Sequence, residues 1–192
     1  DRTTWAGRRD HALLLLAVQT GLRLSEITGL RAADVRLGTG AHVHVLGKGR
    51  KERCTPLAKQ TQAALRSWMS RDLGPEPAIL FPSARGSRLS ADGVQYLVAK
   101  HVATAARACP SLTRKRVTPH VLRHTTAMEL LQAGVDRSVI AMWLGHESLE
   151  TTQIYLDADL TLKERVLDKI APPSVQARRY RPEDKLMAFL SA

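Results

Sequence analysis

The sequence predicts a mainly α-helical domain with one small antiparallel sheet, and three observations predict it. Apolar residues recur at helical spacing through most of the chain. Only the stretch 41–57 alternates instead, and a glycine-rich turn divides it. Cap and turn residues punctuate the remainder at short intervals. The 192 residues suit one domain, or one domain with a tail, and 44% hydrophobic residues supply a core.

Residues 9–19 (RDHALLLLAVQ) read as a buried helix stopped by Thr20-Gly21. In 23–30 (RLSEITGL), Leu24, Ile27 and Leu30 repeat at helical spacing and predict a second helix. Arg31 to Val35 reads as a short helical turn or loop. The alternating run 41–46 (AHVHVL) and the extended run 52–57 (ERCTPL) flank GKGRK and form a hairpin. Residues 78–81 (AILF) supply a third short strand. Between these, 59–71 is an amphipathic helix that ends before Gly74-Pro75. Ser90 caps a long helix running to about Ala108. Thr118 at the N-cap and Pro119 at the first helical position open the next, which runs to Gln132 and stops at Gly134. Asp136 caps another that ends at Leu144-Gly145. Two further helical stretches are expected near 148–156 and 160–170, then a Pro172-Pro173 linker and an amphipathic segment at 182–190.

Charge narrows the function. Lys plus Arg total 29 against 18 acidic residues, a net +11, and 21 of the cations are arginine. Arginine grips phosphate through a planar fork, so a polyanion partner, most simply nucleic acid, is the leading expectation. An arginine-rich genome is the alternative that composition leaves open. Between Asp92 and Glu129 there is no acidic residue, while Lys100, Arg107, Arg114, Lys115, Arg116 and Arg123 all lie there. That stretch is the expected DNA face. Aromatic residues make up only 4%, which favours duplex DNA over stacked single strands. Two cysteines, Cys54 and Cys109, are too few for a disulfide scaffold and read as a reduced cytoplasmic protein. No apolar run approaches the roughly 20 residues of a membrane span, and no signal-peptide pattern opens the chain.

Four segments carry polar groups that helix and strand stability do not ask for: TGLRLSE (20–26), GKGRKER (47–53), HVLRH (120–124) and LGHESLETTQIY (144–155). Arg23 opens a helix, where a cation opposes the positive end of the macrodipole. An anion held by Arg23 and the helix N-terminus together explains it, with Glu26 at i+3 orienting the guanidinium; an ordinary surface pair is the alternative. His120 and Arg123 share a helix face and can grip one phosphate, whereas His124 reads as a core histidine. Lys48 projects from the hairpin tip between two glycines, placed to enter a groove of DNA. Lys51 and Arg53 read as phosphate contacts or solvated charges. A zinc site on the His120–His124 face lacks the glutamate of HExxH and needs His42, His44, Cys54 or His146 to converge, so no metal and no cofactor are expected.

Taken in order and spacing, these segments resemble the tyrosine recombinase (phage integrase) family, specifically its C-terminal catalytic domain, over roughly residues 8 to 170. Each motif is weak alone; the ordered set is specific. The resemblance implies the DNA breaking-rejoining fold and site-specific DNA strand exchange through a 3′-phosphotyrosyl bond. It implies that Arg23 and Arg123 clamp the scissile phosphate, that His120 assists proton transfer, and that Lys48 protonates the leaving 5′-hydroxyl. His146, nine positions before the nucleophile Tyr155, supports the phosphate, and Glu26 organises the site. Lys51, Arg53, Arg114, Lys115 and Arg116 are the expected DNA-binding cations. The resemblance further implies duplex DNA as partner, a tetramer on synapsed DNA and a monomer when free, with no membrane. Residues 1–171 are then the catalytic domain, 172–192 a tail that docks on a neighbouring protomer or on its own domain, and the family's N-terminal core-binding domain is expected to be absent from this chain. Two other readings compete: a type IB topoisomerase, and a helical regulator that binds DNA without cutting, which leaves Lys48, His120, His146 and Tyr155 unexplained.

Overall fold

A computed structural model describes residues 1–47, 52–73, 79–145 and Leu167. Six α-helices and three strands are described within it: α1 (Trp5–Thr20), α2 (Leu24–Gly29), β1 (Val35–Arg36), β2 (His42–Leu46), β3 (Glu52–Pro56), α3 (Lys59–Asp72), α4 (Ala91–Ala105), α5 (Pro119–Gln132) and α6 (Arg137–Leu144). Short 3₁₀ turns span Ala32–Asp34 and Pro110–Arg114. The expected helices at 148–156 and 160–170, the linker and the tail lie outside the described residues; Leu167 alone is described, helical and packed against the α5–α6 core.

The helix starts follow local chemistry. Thr118, Ser90 and Asp136 each turn a side-chain oxygen onto a backbone N–H of the following turn, of Val121, Gly93 and Ser138 respectively, and Pro119 occupies the first helical position. Helix α1 begins four residues earlier than its apolar run suggests, because Thr4 caps it at Gly7 N–H. Trp5 then packs edge-on to Trp68 of α3 and lies under the Arg9 guanidinium. Arg8 donates two hydrogen bonds, of 2.8 and 2.7 Å, to the Asp72 carboxylate and ties α1 to α3 a second time.

The sheet is antiparallel in the order β1–β2–β3. Its third strand is not the one the sequence suggests. Val35–Arg36 pairs with His42 and Val43, whereas Ile79 makes a single isolated bridge to Arg31. Leu80 and Phe81 of the AILF segment are buried in a connector instead: Leu80 donates its N–H to the Leu30 carbonyl and accepts the Trp68 indole N–H. In the hairpin, Val43 pairs with Thr55 and Val45 with Arg53, so all four lie on the buried face.

Two cores result. The larger joins α1, α2, the sheet, α3 and α4 around Leu13, Leu16, Val43, Leu65, Trp68 and Phe81; the smaller, of α5 and α6, centres on Leu130, Trp143 and Leu144. They meet at the end of α1. The Trp143 indole donates to the Thr20 carbonyl, and Gly21, with φ +63°, closes α1 so near α6 that a Cβ there would lie 2.7 Å from the Leu144 side chain. Within the larger core, the fully buried Thr55 hydroxyl finds no hydrogen-bond partner among the described residues. Thr55→Val keeps the shape and removes that orphaned group, so it is expected to stabilise by about 1 kcal/mol. Thermal melting reads this as a rise of about 2–4 °C.

Candidate active site

The junction of the two cores brings together Arg23 and Arg123, two of the cations that the motifs single out. Arg123, one turn into α5 and only 9% exposed, donates from Nη1 to the Gly21 carbonyl at 2.7 Å and from Nη2 to the Leu144 carbonyl at 2.8 Å. Those acceptors stand at the C-terminal ends of α1 and α6, where unsatisfied carbonyls and the negative end of each macrodipole favour a cation. Arg23 is the N-cap residue of α2, extended at φ −65° and ψ 151°, and its Nη2 donates to the Gly145 carbonyl at 2.9 Å. The end of α6 thus holds both arginines, and the end of α1 holds Arg123 as well.

Glu26 organises the pair differently from the sequence expectation. Its Oε2 accepts the backbone N–H of Arg23 at 2.7 Å, so the carboxylate itself caps α2. Its Oε1 lies 3.4 Å from Arg23 Nη1, a long contact. The short, two-pronged ion pair is with Arg53, whose Nη1 and Nη2 donate at 2.9 and 2.7 Å. Arg53, read from the sequence as a phosphate contact or solvated charge, is 7% exposed and spends both terminal nitrogens on Glu26. The cause is strand alternation: beside Val45 its side chain can only point inward. Gly145 leaves room for it, since a Cβ there would lie 2.7 Å from Arg53 Nη1.

Two guanidiniums, Arg23 and Arg53, therefore contact the Glu26 carboxylate, while Arg123 is held by the Gly21 and Leu144 carbonyls. Among the described residues these three cations and one carboxylate carry a formal excess of two positive charges. Burial, with Arg23 and Arg53 nearby, pushes Arg123 down to about 10, although Glu26 pulls the other way. Arg123 stays charged at neutral pH in a place that disfavours its charge. Glu26 sits below the ordinary glutamate range: burial raises it, but the hydrogen bonds and charge of Arg53 and the Arg23 N–H outweigh that. An anion arriving at this cluster meets charge already assembled.

His120 stands exposed in the first turn of α5, its ring edge-on to His124 with centroids 4.2 Å apart. His124 is not the satisfied core histidine the sequence suggests. Its Nε2 is buried without a hydrogen bond among the described residues, and burial, then His120 and Arg123, lower its pKa. His120, Arg123, His124 and Leu144 line one narrow cleft. Arg114, Lys115 and Arg116 are exposed between α4 and α5, on the acid-free stretch. Lys48, Lys51, His146 and Tyr155 lie outside the described residues. Among the described residues no three His, Cys, Asp or Glu side chains gather as metal ligands would, and no helix is long and apolar enough to cross a membrane.

This fold and cluster define a mainly helical domain built around a preassembled arginine site. The phage integrase family model matches residues 2–161, and the chain belongs to that family. It is 64% identical, over its whole length, to y4rC of Sinorhizobium fredii (strain NBRC 101917 / NGR234), whose name classes it with integrases and recombinases. It is 39% identical over 93% of its length to the tyrosine recombinase XerC of Pelobacter propionicus (strain DSM 2379 / NBRC 103807 / OttBd1). The chain covers 58% and 56% of those two proteins. Among solved structures, the XerH site-specific recombinase bound to its difH substrate, in a pre-cleavage complex, is similar with a TM-score of 0.65 and 26% identity, over 81% of this chain and 47% of that one.

Proposed function

We propose that this chain carries the catalytic centre of a tyrosine-type site-specific DNA recombinase, which cleaves and rejoins duplex DNA. The observation that carries the reading is the convergence of Arg23 and Arg123 on the neighbouring Gly145 and Leu144 carbonyls, beside the buried Arg53–Glu26 pair, in a chain whose family relatives include tyrosine recombinases. In this reading Arg23 and Arg123 hold the non-bridging oxygens of the scissile phosphate and stabilise the charge that grows on them in the pentacoordinate transition state. Tyr155 attacks phosphorus while its phenolic proton passes to the imidazole of His120. The bond between phosphorus and the 5′-oxygen breaks as the bond to the tyrosine oxygen forms, and Lys48 supplies the proton to the departing 5′-hydroxyl. His146 supports the same phosphate. The phosphodiester energy is kept in the 3′-phosphotyrosyl bond, so a 5′-hydroxyl of another strand reverses the step without water.

Duplex DNA is the partner, met by the acid-free stretch with Arg114, Lys115 and Arg116 and by Lys51 of the hairpin. Residues 1–171 act as the catalytic unit and 172–192 as a tail that docks on a neighbouring copy within a tetramer or on its own domain, in the cytoplasm where the DNA lies. The experiment is incubation with a nicked duplex carrying the site of the mobile element or chromosome from which the gene comes. The expected result is a covalent protein–DNA adduct whose cross-linked peptide, by mass spectrometry, contains Tyr155. An adduct on another residue, or none on any cognate duplex, overturns the reading.

A further inference from the structure

We propose that Arg53 is a positioning residue that neutralises Glu26 and so keeps the charge of Arg23 available to an incoming phosphate; the inference rests on reading the arginine cluster as the phosphate clamp. Glu26 is a buried carboxylate within reach of two guanidiniums, and it is not shared equally. Arg53 binds it through two short parallel hydrogen bonds at 2.9 and 2.7 Å, whereas Arg23 Nη1 stands off at 3.4 Å. Exposure follows the same division. The side chains of Glu26 and Arg53 are 5% and 8% exposed, and that of Arg23 is 33% exposed. Arg23 is thus the cation that faces outward, and Arg53 is the one spent on the carboxylate.

The physical reason is competition for one negative charge. A carboxylate removed from water needs a partner, and a two-pronged guanidinium is the strongest that a protein offers. With Arg53 in place, Glu26 retains only the backbone N–H of Arg23 as a further close bond, which fixes the start of α2 without consuming the guanidinium. Without Arg53, the nearest remaining cation is Arg23 itself. Glu26 would draw it into an ion pair and quench the charge that a phosphate needs. The position of Arg53 suits this role, because it sits on the buried face of β3 and lies against Gly145, at the end of α6. It reaches the start of α2 through Glu26 and the end of α6 at Gly145, and need not touch DNA.

A residue that only packs the fold and one that sets the charge of Arg23 respond differently to a second substitution. Arg53→Met alone leaves Glu26 to Arg23; Arg53→Met with Glu26→Gln removes both buried charges and frees Arg23 again. Two measurements read this on the whole chain. The first is the rise in melting temperature on adding sodium sulfate at constant ionic strength, with inorganic sulfate standing in for phosphate. The starting chain is expected to show the rise, Arg53→Met to lose it, and the double variant to regain it. The second is the single-turnover rate of adduct formation at saturating nicked duplex. Arg53→Met is expected to slow it ~100-fold, and the double variant to recover to within about tenfold of the starting chain. Arg53→Lys guards against a variant that fails to fold, because a lysine still neutralises Glu26 and the sulfate response should persist. A folded double variant as unresponsive to sulfate and as slow as Arg53→Met, or an Arg53→Met that keeps both properties, overturns the proposal. A starting chain that forms no adduct counts against the recombinase reading alone, since the sulfate series still decides the role of Arg53.

Discussion

With Arg123 as the proposed phosphate clamp, Arg123→Ala is expected to slow covalent capture of DNA by about 10²–10³-fold, the usual cost of losing a donor aimed at a developing oxyanion. The loss of stability should be far smaller. The side chain makes two charge-assisted hydrogen bonds, to Gly21 and Leu144, each worth about 1.5–3 kcal/mol. Against this, alanine removes a cation that burial and two neighbouring arginines hold at about 10, well below its ordinary value. The opposing effects leave a net destabilisation of about 1–2 kcal/mol, which thermal melting reads as a fall of roughly 2–8 °C. Arg123→Lys restores the charge without the fork that spans both carbonyls, so it should recover stability better than rate. Single-turnover adduct formation and melting, measured on the same variants, test the split. A rate loss no larger than the stability loss accounts for would show Arg123 to be a structural bridge between helix ends.

The two carbonyls that hold Arg123 mark where sequence reasoning stops. The motif spacing picks out Arg23, Glu26, His120 and Arg123, because residues three apart on a helix share a face and polar groups there stand out. Their acceptors are not local: Gly21 lies 102 residues from Arg123, and Gly145 lies 122 from Arg23. No period links such positions. Helix starts are legible because Thr118-Pro119, Ser90 and Asp136 act on the very next turn, and the start of α1 is missed where the apolar run is silent and Thr4 alone marks it. The third strand fails for the opposite reason. AILF has strand-like composition, yet Leu80 bonds to Leu30 and to an indole, while the two-residue β1 is too short to alternate visibly. Arg53 lies between these cases. Carrying the alternation of Val43 and Val45 across the hairpin turns it inward, so its burial could have been read; the carboxylate it meets could not.

That carboxylate carries the largest stability prediction. Glu26→Ala leaves Arg53 buried with its partner gone, and breaking a buried ion pair from one side costs about 3–5 kcal/mol, far more than the pair contributes over a well-packed apolar substitute. The Arg23 N–H also loses its acceptor at the start of α2. Thermal melting should fall by roughly 6–20 °C, and Glu26→Gln, which keeps an acceptor but not the charge, should fall less. Acid reproduces the substitution reversibly. The folded pKa of Glu26 is depressed, so the unfolded chain binds a proton at this site before the folded one does. Its contribution is complete above the ordinary glutamate value of about 4.3 and is lost as pH falls through the depressed folded value. Melting temperature followed downward from pH 6 should therefore drop more steeply below about pH 4.3 in the starting chain than in Glu26→Gln, and equal slopes would place the acid sensitivity on other carboxylates. The acid limb also separates charge from shape. Protonated Glu26 keeps its size and can still accept the Arg23 N–H, so the stability lost there is that of the lost counter-charge, chiefly to the buried Arg53.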